Sequence, residues 1–265
     1  DYETLAARNP RLVYCSITGY GQTGPYRAYA GHDLNYLGYA GVLNYLGEED
    51  RAPIVPGIQI ADLGGGASMA AIGILTALLA RGQTGRGQAV DVAMMDGMVA
   101  WNVYNLLLHA RTGAPPKRGA EPLTGRYPCY AVFETRDGRH VTVGAFENHF
   151  WATLCRHFGH EEWIDQQFAP GEQREVMLRF FRDAFRQKTL AEWMAELGSK
   201  DICFGPVSTL DEVYADPQVR AREMIVEMDT REGPTRMTGV PIKLSDTPGA
   251  LRPPPVEFGQ DTDAV

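Results

Sequence analysis

The chain has 265 residues, 44% hydrophobic and 22% charged, an ordinary globular composition long enough to bury a core in one large domain or two smaller ones. A net charge of −8 with scattered Lys and Arg speaks against nucleic acid, which calls for a basic face, and against an anionic lipid surface. Cys15, Cys129, Cys155 and Cys203 stand far apart with no CxxC spacing, which argues against zinc and against a disulfide framework, and suits a reducing cytoplasm.

Taken in order, residues 3–9 predict a short helix and residues 12–17 an apolar strand, buried on both faces as in a parallel sheet. Residues 18–29 form a Gly/Pro-punctuated loop. Mixed helical spacing predicts a helix over 32–46, and residues 53–60 are extended. An Ala/Leu/Ile-rich helix is expected over 67–81, apolar nearly all round and hence buried. The apolar run 67–80, broken by Ser68, Gly73 and Thr76, is too short and too mixed to span a bilayer. A turn over 82–87, a strand over 89–94 and a helix over 97–111 complete an α/β pattern.

Residues 113–119 break all periodicity and read as a linker. Strands at 130–135 and 140–144 then flank Arg136-Asp137-Gly138-Arg139, an Asp-Gly hairpin signal, and amphipathic helices follow at 148–158, 172–187 and 190–197. From about 223 the chain is extended and Pro-rich, with Pro234, Pro241, Pro248, Pro253, Pro254 and Pro255, as for a segment travelling along a surface. The expected division is 1–110 for part of a large α/β domain, 111–122 for a linker, 123–222 for a small α+β domain, and 223–265 for an extended return to the large one.

Two motifs carry chemistry. Gly31-His32-Asp33 offers an imidazole, and Ala61-Asp62-Leu63-Gly64-Gly65-Gly66 a carboxylate. Such groups on opposite faces of a carbon acid can remove a proton from one side and deliver one to the other. The plainer alternatives are a structural histidine and a helix N-cap at Asp62, the commoner role for a lone Asp where an extended segment meets a helix. Three successive glycines waste helix propensity with no evident packing gain, and suit close approach to a ligand or N–H groups facing developing negative charge. Gly19-Tyr20-Gly21-Gln22-Thr23-Gly24-Pro25 lacks both the Gly-Lys-Ser/Thr ending of a P-loop and GxGxxG, and reads as a shaped loop. His109, His140, His149, His157 and His160 show no metal-ligand pattern, so no metal is expected. Cys155 and Cys203 have no activating neighbours. Met94, Met95 and Met98 are core, or line a deformable apolar pocket.

Several of these runs together resemble the family III CoA-transferase superfamily of the CaiB/BaiF type. They are Asn9-Pro10-Arg11-Leu12-Val13-Tyr14, Thr18-Gly19-Tyr20-Gly21 with Gly24-Pro25, and Thr84-Gly85-Arg86-Gly87-Gln88-Ala89-Val90-Asp91-Val92-Ala93-Met94. Gly31-His32-Asp33-Leu34-Asn35-Tyr36, the Asp62 motif, Asp137-Gly138, Val143-Gly144-Ala145-Phe146-Glu147 and Phe150-Trp151 are most similar to the α-methylacyl-CoA racemase branch.

The resemblance implies a partial Rossmann-like large domain plus a smaller α+β domain, in an interlocked homodimer. It implies that His32 and Asp62 are the acid/base pair and that the Asp33 backbone N–H holds the thioester oxygen. Tyr36, with Asn35, Gly64 and Gly65, would lie along CoA, and Glu147 would be an accessory carboxylate from the partner's small domain. CoA enters as part of the substrate, with no covalently bound cofactor; neither nucleic acid nor membrane is an expected partner. Against the family, the chain is expected to lack an N-terminal portion and a final helix.

Three functions follow: a racemase of 2-methyl-branched acyl-CoA in lipid metabolism; a CoA-transferase working through an acyl anhydride and a CoA thioester of Asp62; and a non-catalytic dimerising fragment. His32 favours the first, since proton exchange needs a second base. So does Leu123-Thr124-Gly125-Arg126, which has no glycine-rich loop of the transferase kind. A helix start lowers the pKa of an Asp and desolvation raises it.

Overall fold

The computed structural model describes residues 1–230, 233–251, 259, 262 and 263. The chain forms two compact units, 1–205 and 206–265.

The first unit opens with α1 (Tyr2–Arg8), capped by the Asp1 carboxylate on the Thr4 N–H at 2.9 Å. β1 (Tyr14–Thr18) pairs in parallel with β2 (Ala89–Ala93), Tyr14 opposite Ala89 and Thr18 opposite Ala93. Between them lie α2 (Asp33–Tyr39), a single 3₁₀ turn at Leu43–Tyr45, and a long helix. That helix starts with the π-wound segment Ala61–Ser68 and continues as α3 (Met69–Thr84). α4 (Met94–Trp101) and α5 (Val103–Thr112) follow β2 directly.

Four sequence expectations are corrected here. The helix expected over 32–46 stops at Tyr39, because Gly41 takes a left-handed φ of 75° that ends the regular winding. The helix expected over 97–111 is two helices. Asn102 divides them, its Nδ2 donating to the Ala40 carbonyl at 3.1 Å while its Oδ1 accepts from Asn105 Nδ2 at 2.8 Å. The helix expected from 67 begins at Ala61. It is also not buried all round. Ala70 and Ala77 face inward, while Ile72, Leu75 and Leu79 are 57%, 61% and 75% exposed, because a two-stranded sheet covers only one side of α3. Taken whole, Ala61–Thr84 has 24 residues and is long and apolar enough to cross a membrane. The apolar run 67–80 is only the middle of this helix.

A second core lies later in the same unit. β3 (Tyr130–Glu134) and β4 (His140–Gly144) form the expected antiparallel hairpin, Glu134 opposite His140, and β5 (Phe204–Pro206) adds a third strand beside β4. Gly138 turns the hairpin with a φ of 70°. α6 (Asn148–His157), α7 (Gly171–Phe185) and α8 (Leu190–Leu197) pack their apolar stripes onto the sheet. Trp151, Phe181, Phe185, Leu154 and Val141 are fully enclosed, and the indole N–H groups of Trp151 and Trp193 donate to the carbonyls of Trp163 and Phe185 at 2.9 and 2.8 Å. Among the described residues no buried side-chain nitrogen or oxygen lacks a hydrogen-bond partner.

At the far end of α6, His157 Nε2 pairs with Glu196 at 2.9 Å and Lys200 Nζ donates to Nδ1 at 2.8 Å. Burial, then the Lys200 charge, holds the His157 pKa below its ordinary 6.5. A depressed histidine favours the folded state above the unfolded pKa, and that contribution is lost as pH falls below about 6.5, where only the unfolded chain takes up the proton. Urea unfolding at pH 7.5 and 5.5 should therefore show lower stability at 5.5, and His157→Gln should flatten that part of the dependence.

The second unit holds α9 (Leu210–Ala215), α10 (Pro217–Ala221) and a hairpin of β6 (Ile225–Thr230) with β7 (Gly233–Thr238). Asp216 caps α10 and Pro217 occupies its first turn, a placement natural to proline. The stretch expected to run extended from 223 is paired here, Ile225 opposite Thr238. Pro253, Pro254 and Pro255 lie outside the described residues.

Candidate active site

Parallel strands place their following loops at one end of the sheet, which is where α/β folds build sites. β1 ends at Thr18 and β2 at Ala93, and both motifs gather there. The loop after β1 is tied down by Thr18 Oγ1, which accepts from the Gly21 N–H at 2.9 Å. Asp91 of β2 accepts from the Gln22 N–H at 3.1 Å, and Gly19 O accepts from the Met95 N–H at 3.0 Å. Tyr20 then sits at the centre of an aromatic group, with Tyr26, Tyr29, Tyr36 and Tyr39 all within 6.3 Å, ring centre to ring centre.

His32 is the exposed N-cap of α2, and its backbone N–H donates to Asn35 Oδ1 at 3.0 Å. Asn35, expected along CoA, thus has its side-chain oxygen engaged in the first turn of the helix. Tyr36 is buried. Its hydroxyl donates to the Gly31 carbonyl at 2.5 Å, fixing the turn that precedes His32. Burial, then Tyr20, then the negative charge of Asp62 push the Tyr36 pKa above 10.0, so the hydroxyl keeps its proton and Asp62 is electrostatically close to it.

Asp62 is half-buried and second in its helix; the N-cap position belongs to Ile60. The capping alternative is therefore excluded, and among the described residues the Asp62 carboxylate makes no hydrogen bond or ion pair. The capping is done by Asp33. Its Oδ1 accepts from the Ala61 N–H at 2.6 Å and from the Asp62 N–H at 3.0 Å. The two motifs are thus joined through one carboxylate.

The glycines have a packing role the sequence concealed, correcting the reading that they bring no packing gain. A Cβ on Gly64 would stand 2.5 Å from Trp101, and one on Gly65 2.4 Å from the Met94 carbonyl oxygen. Gly65 and Gly97 bring the π-wound segment and α4 into backbone contact, since a Cβ on Gly97 would lie 2.4 Å from Gly65 Cα. Beside this contact lies a cavity of about 420 Å³ that begins at Ile60 and is lined by Val42, Leu46, Met98, Trp101 and Asn102. Met98 is fully buried against it.

Glu147 is exposed at the N-cap of α6, on the second core. Within the chain it makes no hydrogen bond or ion pair with His32 or Asp62 among the described residues. No group of three His, Cys, Asp or Glu able to hold a metal occurs among the described residues. Burial pushes the Cys129 thiol up to about 11 and Cys155 up to about 12, so neither supplies a thiolate.

Sequence reasoning missed the Asp33 bridge, the Asp91 tether and the Asn102 break. One signal for the bridge was present. Residues 52–60, Ala-Pro-Ile-Val-Pro-Gly-Ile-Gln-Ile, contain no Ser, Thr, Asp or Asn, so a helix starting at 61 lacks a local cap and must borrow one.

Residues 1–262 match the model of CoA-transferase family III. An alpha-methylacyl-CoA racemase of Mus musculus is 34% identical over 255 residues, covering 96% of this chain and 67% of its own. A succinate–glutarate CoA-transferase of Agrobacterium fabrum is 32% identical, covering 98% of this chain and 66% of its own. The crystal structure of a CAIB/BAIF family protein from Brucella suis superposes with a TM-score of 0.81 at 31% identity, covering 100% of this chain and 70% of that one. The chain thus spans about two thirds of the length of these relatives, some of them racemases and others transferases, and it belongs to CoA-transferase family III.

Proposed function

We propose that the protein inverts the α-carbon of 2-methyl-branched acyl-CoA thioesters by two-base proton transfer, His32 serving one face and Asp62 the other. The observation that carries this reading is the Asp33 bridge, which ties the backbone of Asp62 to the residue next to His32, while among the described residues the Asp62 carboxylate has no hydrogen bond or ion pair.

A thioester acidifies its α-hydrogen, and the enolate formed on deprotonation needs its oxygen stabilised by fixed donors. The Asp33 N–H, first in α2 and without a helical partner, is the donor for that oxygen. One base then takes the proton as the other returns one to the opposite face, and histidine can do either near neutral pH. The cavity beside Met98 and Trp101 takes the apolar acyl group, methionine adapting to its shape. Glu147 acts from the small domain (123–222) of a second copy in an interlocked homodimer, near the large domain (1–110) of the first. The setting is cytoplasmic lipid metabolism.

A transferase is the second reading, favoured by the 32% identity to the Agrobacterium fabrum enzyme. There the Asp62 carboxylate attacks the thioester, forming a mixed anhydride and releasing CoA thiolate. The thiolate returns to the aspartyl carbonyl, expelling the first carboxylate and leaving an aspartyl-CoA thioester for the acceptor acid. In deuterated water with a single enantiomer of a 2-methylacyl-CoA, the racemase reading expects deuterium at C2 in both configurations. Transfer of CoA to an added carboxylate, with hydroxylamine trapping at Asp62 and no exchange at C2, would overturn it.

A further inference from the structure

A helix is ordinarily capped by the residue just before it, which fixes only local geometry. The helix that carries Asp62 is capped instead by a residue 28 and 29 positions earlier, through the 2.6 Å and 3.0 Å bonds to Asp33 Oδ1. Asp33 is also the first residue of α2, directly after His32. One carboxylate, on the residue next to His32, therefore sits one hydrogen bond from the backbone of Asp62. Ala61 is fully buried, so water is a poor substitute for the lost acceptor. The hydrogen bond from Tyr36 to the Gly31 carbonyl at 2.5 Å holds the other side of His32. Among the described residues no other side-chain hydrogen bond joins α2 to the π-wound start of the Asp62 helix.

We infer that the Asp33 side chain is a positioning residue that sets the separation of His32 and Asp62, a task separate from the one its own backbone N–H performs on the thioester. The inference rests on the racemase reading. Removing the carboxylate leaves the N–H, His32 and Asp62 in place but frees the start of the Asp62 helix to shift against α2. Each base can still exchange a proton on its own face. What suffers is inversion, which needs both bases aligned on one carbon.

The test compares the full protein with its Asp33→Ala and Asp33→Asn variants, using each enantiomer of a 2-methylacyl-CoA in deuterated water. Asp33→Ala should lower kcat for inversion by about a hundredfold, the scale expected for an ångström of misplacement, with KM little changed. Exchange with retained configuration should fall much less, so the ratio of exchange to inversion rises. Asp33→Asn keeps an oxygen acceptor and should recover most of the inversion. Amide hydrogen exchange should show Ala61 and Asp62 losing protection in Asp33→Ala and keeping it in Asp33→Asn. Exchange and inversion falling together at a constant ratio, or inversion surviving in Asp33→Ala, overturns the inference alone. Absence of both exchange and inversion in the unsubstituted protein overturns the racemase reading and this inference with it.

Discussion

Replacing Asp62 with Ala is expected to lower turnover about 10³–10⁴-fold whichever of the two reactions the protein performs, since it removes either a proton-transfer group or the nucleophile. Stability should change little, because the carboxylate makes no hydrogen bond or ion pair among the described residues and caps nothing. His32→Ala is the discriminating partner. A two-base racemase loses about 10²–10⁴-fold with it, whereas a transferase, which needs only the Asp62 carboxylate, keeps most of its activity. Steady-state rates of inversion and of CoA transfer, measured on both variants with urea unfolding as a control, check the pair.

Gly97→Ala should be among the most destabilising single changes in the first core. The added methyl would lie 2.4 Å from Gly65 Cα and 2.8 Å from its carbonyl oxygen, and backbone cannot rotate aside as a side-chain tip can. Overpacking of this kind costs about 1–3 kcal/mol and sometimes more. It also pushes on the start of the helix that carries Asp62, so activity should fall in the fraction that still folds. Gly65→Ala meets the Met94 carbonyl oxygen at 2.4 Å and should behave alike. Gly82→Ala is the control. It lies within α3, a Cβ there meets nothing within 4 Å, and it should stabilise by about 0.5–1 kcal/mol through helix propensity alone. Urea midpoints for the three variants decide the matter.

The same residues show what could be read from sequence. Periodicity and the Asp137-Gly138 turn located β3, β4, α6, α7 and α8 closely, because each is set by a local pattern that its packing merely completes. Where a distant partner intervened, sequence reasoning failed. Asn102 breaks a helix to reach the carbonyl of Ala40. Gly64, Gly65 and Gly66 look like poor helix formers in the sequence, yet they lie in the π-wound segment, where a Cβ on Gly64 or Gly65 would run into Trp101 or Met94 of α4. Composition alone predicts a buried α3, but burial depends on what covers a face, and two strands leave Ile72, Leu75 and Leu79 open. His32 and Asp62 were legible as motifs. Their connection was not, since a hydrogen bond spanning 28 residues leaves no periodic trace. Only the missing local cap before Ala61 hinted at it.

In the proposed reaction His32 and Asp62 serve opposite faces of one carbon. A crystal structure of the full protein with a 2-methylacyl-CoA bound tests it most directly. An imidazole nitrogen of His32 and a carboxylate oxygen of Asp62 should each lie about 3–3.5 Å from C2, the reach of a near-attack arrangement, on opposite sides of the plane of the thioester. Both groups on one side of that plane, or Asp62 against the carbonyl carbon with His32 turned away, would contradict it.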